Sequence, residues 1–91
     1  MNRKRYVIPF SDEQIIEIQS LTPFEDNDFD PEQGLERRSW IMVAQICIGK
    51  AEMIDMGYYG RDYSDDENWI VTLTGIAATI MHKFLPGDGQ T

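Results

Sequence analysis

The residues best suited to chemistry are the carboxylates between Glu25 and Glu36, and their spacing first suggests a calcium loop. Asp26, Asp28 and Asp30 alternate as the early ligands of an EF-hand do. The sixth position, which needs glycine for its turn, is Pro31, and the twelfth, which needs a bidentate glutamate, is Arg37. The run is therefore read as a charged loop. Cys47 and His82 are each the sole residue of their kind. They fall on different predicted helices with no spacing that implies contact, so a nucleophile and base pair is not expected. His82 beside Lys83 reads instead as a cation complementing a helix C-terminus. Zinc needs more soft ligands than the chain holds, and Gly57-Tyr58-Tyr59-Gly60 lacks the spacing of a phosphate-cradling loop. Catalytic residues, a metal and a cofactor are all absent from the expectation, and the chain is read as a non-enzyme.

Binding is the stronger theme. Tyr58, Tyr59, Arg61, Asp62 and Tyr63 follow Gly57 in one short loop and are the residue types that dominate binding hot spots. Tyrosine offers rigid area with a polar tip, and arginine can fork onto a carboxylate or phosphate. Acidic residues cluster twice, at Glu25, Asp26, Asp28, Asp30, Glu32 and Glu36, and again at Asp62, Asp65, Asp66 and Glu67. Each cluster precedes a predicted helix start. Antiparallel helices would set these starts at opposite ends, giving two acidic poles that could imitate rows of backbone phosphates.

The elements that must position these residues read as all-α: a small three-helix domain with a short helix over residues 12–21, a long central helix over 31–56 and a third over 65–85. Three helix starts carry a cap residue followed three positions later by Glu or Gln: Ser11 with Gln14, Asp30 with Gln33 and Ser64 with Glu67. Gly57 and Pro86-Gly87 supply two of the stops, and Pro23 ends the first helix. In that helix Ile15, Ile18 and Leu21 form the buried stripe, with Ile16 alongside and Glu13, Glu17 and Ser20 facing water. From Trp40 to Ile48 only Gln45 is polar, which a helix tolerates when it is covered all round. Gly49 opens a groove for another helix, with Gly75 and Ala78 as its fillers. Trp40, Ile46, Gly49, Met53, Trp69, Gly75 and Ala78 are therefore expected at helix-packing or dimer contacts. The β-branched run from Trp69 to Gly75 leaves a strand as the competing reading there.

At 91 residues with 42 % hydrophobic content, the chain supports one core. It is read as one domain with a basic N-terminal arm and a frayed C-terminal tail. So small a domain gains from pairing, and a homodimer through the second and third helices is expected. A net charge of −8 disfavours direct binding to nucleic acid or anionic lipid and favours a partner protein with a basic surface. The apolar stretch after Arg3-Lys4-Arg5 is too short for an export signal, no run reaches membrane-spanning length, and Cys47 has no disulfide partner. A soluble, cytoplasmic protein is the expectation. In length and acidity the chain is similar to small phage-encoded inhibitors of bacterial defence systems, anti-CRISPR and anti-restriction proteins among them, although no motif carries the likeness. It implies an inhibitor that occupies a basic or nucleic-acid-handling partner. The rival reading is a nucleotide sponge built on Tyr58, Tyr59, Arg61 and Tyr63, and the third is a DNA-binding regulator with Arg3, Lys4 and Arg5 as a groove arm.

Overall fold

A computed structural model describes residues 4–21, 29–58 and 63–84, the backbone alone over 63–65. The order is β1 (Arg5–Tyr6), α1 (Asp12–Leu21), β2 (Leu35–Glu36), α2 (Arg37–Asp55) and α3 (Tyr63–Phe84). The chain is mostly helical, with the third helix continuous through residues 69–75, where a strand was the competing reading.

The first helix starts as its residues dictate. Ser11 Oγ accepts from the Gln14 amide at 3.2 Å while Gln14 Oε1 accepts from the Ser11 amide at 3.0 Å, a closed capping box. The stop of α2 is equally legible. Gly57 takes a left-handed φ of 79°, its amide donates to the Ile54 carbonyl at 2.9 Å, and the Tyr58 amide donates to the Met53 carbonyl at 3.0 Å. Those two bonds complete a Schellman motif.

The start of the central helix departs from expectation. Asp30-Pro31-Glu32-Gln33 does nucleate a turn: Asp30 Oδ1 accepts from the Glu32 amide at 2.9 Å, and the Asp30 carbonyl accepts from Gln33 and Gly34 at 3.0 and 2.8 Å. The turn then ends, because Gly34 adopts a φ of 73° and bridges back to Asp30. Leu35 and Glu36 continue as β2 and pair antiparallel with Tyr6 and Arg5. Helix α2 therefore begins at Arg37 rather than at residue 31, and a two-stranded ribbon joins what the sequence read as helices alone. Arg5, from the basic arm, is drawn into this ribbon, whereas Arg3 lies outside the described residues. The Arg5 guanidinium donates to the Gly34 carbonyl at 2.6 Å and the Gln33 carbonyl at 3.3 Å.

Trp40 is the centre of the core. It is fully buried, lies 5.7 Å from the Phe10 ring and 5.5 Å edge-on to Phe29, and its Nε1 donates to the Tyr6 carbonyl at 2.8 Å. Val43, Ala44, Cys47, Ala51 and Ile54 extend the buried side of α2 against Leu73, Ile76, Ala77 and Ile80 of α3, with Ile18 of α1 capping the interface. Arg37 stacks 5.7 Å over the Phe84 ring, while residues at the far end of α2 meet the start of α3, so the two helices run antiparallel. Tyr6 adds an edge-on contact to Phe84 at 5.1 Å.

Two packing expectations are corrected. Among the described residues a Cβ at Gly49 would meet nothing within 4 Å, so neither Gly75 nor Ala78 fills the groove there; a Cβ added at Gly75 would instead lie 3.3 Å from the Gln14 side chain, and Ala78 is exposed. Glu17 does not face water. It sits half-buried between α1 and α3, accepting from Trp69 Nε1 at 3.0 Å and pairing with Lys50 at 3.6 Å, while Glu13 accepts from Asn68 at 3.3 Å. Lys50 in turn lies 4.5 Å over the Trp69 ring. Buried indole N–H groups need acceptors, and these carboxylates tie α1 to α3 where its short apolar stripe alone would hold weakly. Ile16, placed beside that stripe, is 65 % exposed.

Candidate partner-binding site

The two acidic regions do lie at opposite ends of the helix pair. Asp30, Glu32 and Glu36 surround the turn before α2, whereas Asp66 and Glu67 stand in the first turns of α3 beside the end of α2, roughly 27 Å away along a helix of this length. Asp26, Asp28, Tyr59, Arg61 and Asp62 lie outside the described residues. Tyr63 opens α3, and Tyr58, just after the Schellman turn, is 67 % exposed.

At the α2–α3 end the structure forms a pocket of about 280 Å³, lined among the described residues by Ile54, Asp55, Asp66, Glu67 and Ile70. Three carboxylates stand around two isoleucine walls. Asp66 is 4 % exposed, held down by its place on the inner face of α3, and Glu67 next to it is exposed. Both complement the positive end of the α3 dipole, but Asp55 occupies the last turn of α2, where the carbonyl end is already negative. The field at the mouth therefore favours a cation.

The pocket falls just below the roughly 300–1,000 Å³ of typical small-molecule sites, a size suited to one side chain. A lysine or arginine stem would lie against Ile54 and Ile70 with its charged head among the carboxylates. Among the described residues no group of three or more His, Cys, Asp or Glu is placed to hold a metal ion. Sequence reading had Asp66 and Glu67 in an acidic cluster but missed Asp55, Ile54 and Ile70. The only signal for them was the helix stop at Gly57, which folds the chain back and apposes residues a full loop apart.

The other reactive candidates separate. His82 stands exposed in the last turn of α3 with Lys83. Cys47 is fully buried on α2, and burial together with Glu17 pushes its thiol from 9.0 up to about 12, with Lys50 pulling weakly the other way. A neutral, enclosed thiol is a poor nucleophile. The native protein should resist an aromatic disulfide reagent at pH 8 and label fully in denaturant; rapid native labelling would contradict this burial. Because the unfolded chain releases this proton first, the stability Cys47 contributes is present below its ordinary value of 9.0 and declines as pH rises toward 12.

No helix among the described residues is long and apolar enough to cross a membrane. No protein-family model, curated protein or solved structure matches the chain.

Proposed function

We propose that this domain is a non-enzymatic interaction protein that docks on the basic surface of a partner protein and blocks it. The observation that carries this reading is the pocket at the α2–α3 end, where Asp55, Asp66 and Glu67 surround Ile54 and Ile70. It accepts a lysine or arginine side chain as an anchor. Tyr58, exposed three residues past Asp55, supplies area at the same end of α2, and the net charge of −8 steers the approach of a cationic surface. The acidic turn at Asp30, Glu32 and Glu36 offers a second point of contact at the other end of the same helix pair. Two acidic points on one rigid hairpin suit an extended basic groove, such as one that holds a nucleic-acid backbone, and occupying it would displace that ligand.

The test is a titration of the isotope-labelled protein with a short oligoarginine peptide, followed by amide chemical shifts at about 0.01 M and about 0.15 M salt. Shifts are expected at Ile54, Asp55, Asp66, Glu67 and Ile70, with weaker binding at the higher salt. Asp55→Asn with Glu67→Gln should weaken binding about tenfold, as expected for the loss of two partly exposed charge pairs. Shifts spread evenly over all surface carboxylates, or affinity unchanged in the double variant, would refute the pocket as the anchor.

A further inference from the structure

Among the described residues the face of α2 turned away from the core is only partly covered, yet it is built like a seam. Met42, Ile46, Gly49, Met53 and Met56 follow one another at alternating steps of four and three residues, the spacing by which one helix packs along another. Met42 and Met56 are 42 % and 74 % exposed, and Ile46, Gly49 and Met53 are half-buried. Gly49 is the telling position. It costs a helix interior about 1 kcal/mol relative to alanine. It needs no left-handed φ, and nothing within 4 Å would obstruct a Cβ. Among the described residues of one copy, nothing packs close enough to require a glycine there.

Charge identifies the occupant. Helix α2 opens on Arg37 and Arg38 with no acid in its first turn, and closes on Glu52 and Asp55 with no base in its last. Both ends oppose the helix dipole, and Glu36 makes no side-chain cap. Arg37 and Arg38 are both exposed; Arg37 stacks on the Phe84 ring of its own copy, whereas Arg38 stands one turn before Met42, at the end of the apolar seam. A cation at one end of a neutral stripe and a carboxylate at the other form a self-complementary pattern, which a two-fold axis across the stripe satisfies.

We propose that a second copy of this chain docks antiparallel along this face, Ile46 of each copy resting over Gly49 of the other and Met42 against Met53. In that register Arg38 of each copy reaches the C-terminal turns of the other α2, near Glu52, so each helix receives from its neighbour the charge its own dipole lacks. A parallel pairing would set Arg38 against Arg38. The seam lies on the side of α2 opposite its buried face, so it leaves the pocket beyond Ile54 open on both copies.

Sedimentation equilibrium from micromolar to millimolar concentration tests this without any ligand, and its outcome is independent of oligoarginine binding. The 10.5 kDa chain should approach twice its mass. Met42→Glu should shift the midpoint of association by at least about tenfold with unchanged helicity. Arg38→Glu should weaken pairing by a similar factor, and Arg38→Glu with Glu52→Arg should restore it, a rescue that a purely structural role would not give. A monomer at every concentration overturns the proposal, and pairing by Arg38→Glu as tight as that of the parent overturns the antiparallel arrangement.

Discussion

Gly34→Ala should unfold a large part of this domain's stability margin. The glycine sits at a φ of 73°, which costs an alanine about 1 kcal/mol or more, and a Cβ there would run into the Tyr6 carbonyl and the backbone beside it. Backbone cannot turn aside as a flexible side chain does, so β1 must move away from β2. That motion would loosen the Tyr6 carbonyl from Trp40 and the Arg5 contacts with Gln33 and Gly34 together. A loss of about 3 kcal/mol or more is expected, against a total of only about 5–15 kcal/mol for a domain of ordinary stability. Urea unfolding followed by circular dichroism measures it, and a loss below about 1 kcal/mol would mean that the ribbon carries little of the fold.

Trp40→Ala should cost a comparable amount, about 3–5 kcal/mol, because the ring is fully enclosed by Phe10, Phe29 and the apolar side of α3. Trp40→Phe separates the two parts of its contribution. It keeps much of the ring but removes the donor to the Tyr6 carbonyl, a loss expected at about 1–3 kcal/mol. The same unfolding measurement decides the matter. If the phenylalanine variant matches the parent, the indole hydrogen bond is not what fastens the N-terminal strand, and packing alone does so.

Much of the helical frame was legible because its signals are local. Ser11 with Gln14 wrote a capping box and Gly57 wrote a stop, and both act through atoms a few residues away. The false start at Asp30 arose from the same grammar. Asp-Pro-Glu-Gln does turn the chain, but Gly34 and the pairing of Leu35 with Tyr6, a contact across most of the first forty residues, decide that it stops. No local pattern announces such a pairing. Glu17 escaped for a related reason: period alone assigns it to the solvent side of α1, and only the approach of Trp69 and Lys50 gives it a partly buried role. Of the binding site, the acidity was visible from composition. The pocket was not, since it exists only where α2 and α3 are folded against each other.

The contact between Tyr6 and Phe84 makes the described chain almost a closed ring. Strand β1 and the end of α3 share the pole where Arg37 begins α2, while the carboxylate pocket occupies the other. Joining Lys4 and Phe84 by a short linker would preserve the interfaces packed among the described residues while relocating the break, because Tyr6 and Phe84 already touch. The same geometry sets β1 and the end of α3 beside the turn of Asp30, Glu32 and Glu36, so a second domain fused at either would crowd that point of contact while leaving the pocket at the other pole clear, which separates the two contributions to binding.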